Sequence, residues 1–223
     1  MAEETRRPTD SFFRRNGLSL VAAALMIGSL VGQLLTGHAV YNEERGELGL
    51  AALSFAQYLV SGHALSSTFE NWESEFLQMG MFVLLTVVLR QKGSSESRPM
   101  RAEDENPRID PGPTPWPVRK GGLWKSLYGH SLAIAFMALF ALSFALHAFG
   151  SWERDGVERM ARHEASLALG DYVLSSQFWF ESFQNWQSEF LAVLSLVLLS
   201  IWLRQKDSPQ SKPLEAPHSQ TGE

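Results

Sequence analysis

Cysteine is absent from this 223-residue chain. That excludes disulfides, thiol nucleophiles and sulfur-ligated metal or iron–sulfur centres, and leaves the redox compartment open. Also missing are a phosphate loop, a nucleophile elbow, a dinucleotide fingerprint and the HExxH spacing of a metalloprotease. An enzyme built on this chain would have to work with carboxylates and histidines alone. No cofactor, metal or nucleic acid is expected.

The mean hydropathy of −0.09 suits a soluble protein, but it averages over apolar blocks and polar stretches. Residues 18–36 and 131–149 contain no Asp, Glu, Lys or Arg, and each approaches the ~20 residues that carry a helix across hydrocarbon. Two shorter apolar blocks, 76–89 and 190–203, gain spanning length when extended back to Phe69 and Phe183, which gives 22 residues to Arg90 and to Arg204. At 1.5 Å per residue that is about 33 Å. Four transmembrane helices are expected. Arg14 and Arg15 ahead of the first block resemble the start of a signal peptide, but the block exceeds a usual h-region and a similar one recurs mid-chain, so a retained anchor is expected.

The basic residues fall on one side of this topology. Residues 1–17, 90–130 and 204–223 hold 4, 8 and 3 Lys or Arg, which is 15 of 19, whereas 38–75 and 150–189 hold 4 basic and 13 of the 24 acidic residues. The positive-inside rule then makes both termini and the central loop cytoplasmic.

FENWESEFL at 69–77 returns as FQNWQSEFL at 183–191. Residues 53–92 aligned with 167–206 at a constant offset of 114 give 17 identities in 40 positions, and repetition of that kind governs the fold. Both copies close on RQK. Further upstream a small change of offset pairs His38-Ala39 with His147-Ala148. Each unit reads as span, outer segment, span, and both start and finish on the basic side, so the repeats share one orientation.

The expected organisation is an N-terminal cytoplasmic segment (1–17), a first two-span repeat (18–92), a linker (93–122), a second two-span repeat (123–206) and a tail (207–223). The linker carries 6 of the 10 prolines and, like the tail, is expected to be disordered. The outer segments 49–60 and 158–174 are helix-compatible but too short to span. The fold class is therefore an all-α membrane protein of four transmembrane helices in two parallel-orientation repeats, with short outer helices.

Candidate site residues come from the repeated motif. Glu75 lies 15 residues before Arg90, as Glu189 does before Arg204. That is about 22 Å of helix, inside a ~30 Å core, where an ionisable group turns away from lipid. Asn71, Ser74 and Glu75 share one helical stripe, as do Asn185, Ser188 and Glu189. These six form a candidate buried polar pair. Interhelical hydrogen bonding is the leading reading, with proton or cation transfer as the alternative. Glu70 and Glu73 become Gln184 and Gln187 in the second copy, which marks their charge as dispensable. Trp72 and Trp186 read as interfacial anchors. His38, His63, His147 and His163 share the outer side without ligand spacing. Small residues at Ala24, Gly28 and Gly32, and at Ala138, Ala141 and Ala145, offer faces for close helix packing.

With the duplicated NWxSEFL motif and the RQK exits, the chain resembles a family of bacterial membrane proteins of unknown function. FQNWQSEFL is the better match; FENWESEFL departs from it at Glu70 and Glu73. The resemblance implies the bacterial inner membrane and carries no activity. A non-enzymatic bundle acting structurally or through partners is the first functional expectation, and a small transporter or channel component using Glu75 and Glu189 is the second. Expected partners are the lipid bilayer and either a second copy of the chain or another membrane protein.

Overall fold

Ser11, Ser61 and Ser175 each turn extended backbone into helix by accepting the N–H three residues on, at 3.3 Å in all three. A side-chain oxygen in that position satisfies one of the donors a helix start leaves without a partner. The three longest capped helices begin there. The structure, a computed structural model, describes residues 11–105, 107 and 109–222, so the first ten residues of the expected N-terminal segment lie outside it.

The long helices are α1 (Phe12–Glu47), α3 (Gly62–Val88), α6 (Ser131–Ala161) and α8 (Ser176–Trp202), with α2 (Phe55–Tyr58) and α7 (Leu169–Val173) as short pieces within each half, and α4 (Trp116–Lys120) and α5 (Gly122–Gly129) between the halves. The described residues contain no strand. Helix α1 starts at Phe12, so residues expected in a terminal segment already belong to the first long helix. Both NWxSEFL motifs lie in unbroken helix.

Helices α1, α6 and α8 are long and apolar enough to cross a membrane. Helix α3 is not, and the four helices expected to be apolar enough are corrected to three. It has the length, 27 residues, but Asn71, Glu73, Ser74, Glu75 and Gln78 interrupt its apolarity. Its setting explains how such a helix is accommodated: α3 packs against α1, α6 and α8, and Glu73, Ser74 and Gln78 are buried by that packing. Asn71 and Glu75 stay exposed on the single chain. The apolar side chains of the other three point outward, including Leu18, Leu25 and Ile27 on α1, Leu132 and Leu142 on α6, and Leu191 and Leu199 on α8. A surface of that kind fits a membrane protein.

The tightest packing joins α3 to α6, which run antiparallel. A Cβ on Gly62 would lie 2.5 Å from the Gly150 carbonyl oxygen, and one on Gly150 would lie 2.6 Å from the Ser66 nitrogen. Only glycine permits this approach. The faces expected from sequence are elsewhere: Gly28 and Gly32 have nothing near them, and Ala138, Ala141 and Ala145 are exposed. The face that packs runs instead through Ser143, His147, Gly150 and Ser151.

Residues 114 apart share roles well beyond the identical positions. The Leu53 carbonyl accepts the His38 Nε2–H at 2.7 Å, and the Leu167 carbonyl accepts the Trp152 Nε1–H at 2.8 Å. His38 thus corresponds to Trp152, not to His147. Tyr58 and Tyr172 are both buried. At the other end, Arg90 Nη1 donates to the carbonyls of Thr86, Val87 and Leu89, as Arg204 Nη1 does to Ser200, Ile201 and Leu203. The correspondence continues into the linker and tail: Gln91 N–H reaches Ser97 Oγ at 3.0 Å and Gln205 N–H reaches Ser211 Oγ at 2.9 Å. Gly93 and Asp207 both take the left-handed backbone at φ 89° and 64°. The linker start and the tail then meet, with the buried Lys212 Nζ donating to the carbonyls of Gly93, His218 and Gln220.

Candidate functional site

Where α3, α6 and α8 meet, at the end of the bundle away from the two RQK exits, a fully buried imidazole sits among three carboxylates. His147 of α6 and Glu73 of α3 are both inaccessible to solvent, and His147 Nδ1 lies 3.0 Å from Glu73 Oε2. A carboxylate acceptor assigns the proton of this bond to Nδ1. The other oxygen of Glu73 accepts the Trp186 indole N–H from α8 at 3.2 Å. Both Glu73 oxygens are thereby engaged by donors on two different helices.

His147 Nε2 faces Glu181 Oε2 of α8 at 3.6 Å and Glu70 Oε2 of α3 at 3.8 Å. Neither contact is short enough for a hydrogen bond, and Nε2 and Glu181 Oε2 have no hydrogen-bond partner. Glu181 is held from its far side, where Oε1 accepts Arg154 Nη2 at 2.5 Å and Gln177 Nε2 at 2.8 Å. Arg154 Nη1 also approaches Ser66 Oγ at 3.4 Å. The Phe178 ring lies against the imidazole, 5.1 Å between centroids.

Local structure explains why these groups coincide. Gly150 lies between His147 and Arg154, and its close approach to Gly62 and Ser66 brings that face of α6 onto α3. Glu70 and Glu73, two and three turns down α3, then reach His147. Glu70 is 20 residues from Arg90, so the centre lies about 30 Å along the chain's rise from that RQK exit. A cleft of about 560 Å³, lined in part by Tyr41, Glu44, His63, Arg154, Tyr172 and Gln177, opens on the same end. Burial and the nearby Arg154 push His63 down to about 4.

Residues 9–223 match the family described as Domain of unknown function (DUF6766). The chain belongs to that family. No curated protein and no solved structure matches it. In this DUF6766 chain the His147 centre is an ionic cluster whose arrangement can hold a positive charge or orient an imidazole nitrogen toward one.

The residues singled out from sequence lie in a different place. Ser74 is buried, Asn185 and Glu189 are half-buried, and Asn71, Glu75 and Ser188 are exposed. Asn71 and Asn185 bond back to their own helices through the Ser67 and Glu181 carbonyls, and Ser74 and Ser188 do the same through Asn71 and Asn185. Glu75 and Glu189 do meet across α3 and α8, on the surface of the single chain. The position of Glu70 and Glu73, both facing His147, argues against the expectation that their charge is dispensable. Trp186, expected as an anchor, donates to Glu73. The four outer histidines do not converge: His38 bonds to Leu53, His63 stacks on Tyr41, and His147 alone enters the centre.

Sequence reasoning missed Arg154 and Glu181 altogether. A signal was present. At the constant offset of 114, His147 aligns with Gln33, Glu181 with Ser67, and Glu70 and Glu73 with Gln184 and Gln187. Gln33 Nε2 donates to the Ser67 carbonyl at 2.9 Å, Gln184 and Gln187 are exposed, and all the aligned positions are neutral. The ionic groups of the two halves are complementary, acids on the second helix of one and a base on the first helix of the other.

Proposed function

We propose that this DUF6766 protein is a non-enzymatic bundle of the bacterial inner membrane, derived from a duplicated two-helix unit, that acts by holding a cation at the His147 centre. In this reading α3, packed antiparallel along α6, crosses beside it, so that both termini and the linker are cytoplasmic, as the one-sided distribution of Lys and Arg supports. The observation that carries the functional reading is the fully buried His147, whose Nε2 points between two carboxylates without a hydrogen-bond partner. Charge points the same way. Glu70, Glu73 and Glu181 supply three negative charges against the single guanidinium of Arg154, and a buried excess of one sign is costly unless compensated.

A second reading, a small transporter or channel component, draws on the meeting of Glu75 and Glu189. The residues further into the span, Val83–Leu85 and Val197–Leu199, are apolar, so a polar path along them would need a second copy of the chain.

The test is the thermal stability of purified, chelator-treated protein. A centre short of positive charge is relieved when one carboxylate is neutralised, so Glu70→Gln should raise the melting temperature while His147→Gln lowers it. Loss of stability in Glu70→Gln as large as that in His147→Gln would overturn the reading.

A further inference from the structure

We propose that the His147 centre is a site for a first-row divalent metal ion, with His147 Nε2 and the Oε2 atoms of Glu70 and Glu181 as its protein ligands. This rests on the cation-holding reading above and names the cation. The three ligand atoms all lie within 4.8 Å of one another, with Nε2 at 3.8 Å and 3.6 Å from the two oxygens. Ligands on metal bonds of ~2.1 Å stand about 3.0–3.4 Å apart in octahedral or tetrahedral arrangements. A contraction of a few tenths of an ångström brings both nitrogen–oxygen distances into that range, and the two carboxylate oxygens, within 4.8 Å of each other, close by at most about 1.4 Å.

Two buried atoms point to a ligand independently of the acidic cluster. His147 Nε2 and Glu181 Oε2 face one another with no hydrogen-bond partner. Stranding such atoms costs on the order of 1–3 kcal/mol apiece, and a cation between them would partner both. The supporting shell is already arranged. Glu73 takes the Nδ1 proton and leaves the Nε2 lone pair directed at the carboxylates, the carboxylate–histidine–metal arrangement that fixes a ligand's tautomer. Trp186 orients Glu73, and Arg154 and Gln177 hold the far oxygen of Glu181.

Charge selects a dication. Three carboxylates, one guanidinium and a neutral imidazole sum to −2, which a divalent ion neutralises. One imidazole with two carboxylates, and no sulfur, suits Zn²⁺, Mn²⁺ or Fe²⁺ over soft copper(I), while an imidazole ligand disfavours calcium and magnesium. Arg154 and Gln177, which hold Glu181, also line the neighbouring cleft. The corresponding Gln33, Ser67 and Gln184 carry no charge, so the stoichiometry is one ion per chain.

The full chain, purified in detergent without a polyhistidine tag, would be freed of metal with chelator and titrated with Zn²⁺ and with Mn²⁺, reading bound metal and melting temperature together. The expected result is one equivalent bound with a rise in melting temperature. Glu70→Gln and His147→Gln should each weaken binding at least tenfold, and Glu73→Gln roughly 10–100-fold through the imidazole. Glu75→Gln should leave binding unchanged. If His147→Gln fails to accumulate, Glu70→Gln decides, and X-ray absorption of the zinc-loaded wild type should show one imidazole nitrogen among oxygen ligands. Absence of saturable binding, or binding indifferent to Glu70→Gln, would overturn the assignment. Should binding be absent while metal-free Glu70→Gln is still stabilised and His147→Gln destabilised, the metal falls and the cation-holding reading stands; loss of both patterns removes both.

Discussion

Replacing Glu73 by glutamine changes one atom's chemistry in the most enclosed part of the protein. The sequence already contains that change 114 residues later, at Gln187, which argues for tolerance; the structure argues the reverse. Glu73 is fully buried and accepts two N–H donors, His147 Nδ1 at 3.0 Å and Trp186 Nε1 at 3.2 Å. An amide offers one oxygen and one NH₂ where the carboxylate offers two oxygens. One donor therefore loses its acceptor and meets another donor. A hydrogen bond to a charged group contributes about 1.5–3 kcal/mol, and a stranded buried donor adds to the loss, so the expected cost is roughly 2–4 kcal/mol. For a chain of this size each kcal/mol moves the melting temperature by about 2–4 °C. Thermal unfolding in detergent, with metal chelated throughout, should show Glu73→Gln melting about 5–15 °C below wild type. The exposed Glu75→Gln should stay close to wild type, since surface substitutions usually change stability by under about 0.5 kcal/mol. Glu73→Gln within a degree or two of wild type would refute the reasoning.

Three further outcomes follow from the fold. Gly150→Ala places a methyl group 2.6 Å from the Ser66 nitrogen and 2.9 Å from the Gly62 carbonyl, so α3 and α6 must separate; a loss of about 1–3 kcal/mol or more is expected, measured by thermal unfolding. Single cysteines at Ser11, Ser95 and Ser208, read with an impermeant thiol reagent on intact cells, should stay unlabelled until the membrane is opened. His63, pushed down to about 4 by burial and Arg154, binds its proton more weakly folded than unfolded. Its contribution is therefore present above the unfolded value near 6.5 and declines as pH falls from there toward 4. His63→Phe keeps an aromatic ring beside Tyr41 and should flatten that part of the stability profile.

Long-range assembly, more than local structure, separates what could be read from sequence from what could not. Apolar length identified α1 and α6 as helices able to span a membrane, and the repeated motif placed continuous helix through residues 69–77 and 183–191. Helix α3 was misjudged as apolar enough because its length is right, while Glu73, Ser74 and Gln78, which break its apolar run, are covered by neighbouring helices in a way no periodicity reveals. The centre draws Glu73 and His147 together across 74 positions and Trp186 and Glu73 across 113. Depth arithmetic alone favoured Glu75, which faces outward. Comparison between the copies held the needed information but was read as tolerance. Gln184 and Gln187 are exposed and face no histidine, since position 33 is glutamine, whereas Glu70 and Glu73 face His147. Shifting the offset to pair His38 with His147 hid that complementarity.

The central claim is that α3 and α6 are joined through one ionic centre organised on His147, and a double-mutant cycle between Glu73 and His147 tests it most directly. Stabilities of the wild type, Glu73→Gln, His147→Gln and the double variant would be measured in detergent with metal chelated. The account predicts a coupling of about 1.5–3 kcal/mol, with the double variant little worse than either single one. Additive losses, within about 0.5 kcal/mol, would mean the two side chains do not depend on each other and would contradict the account.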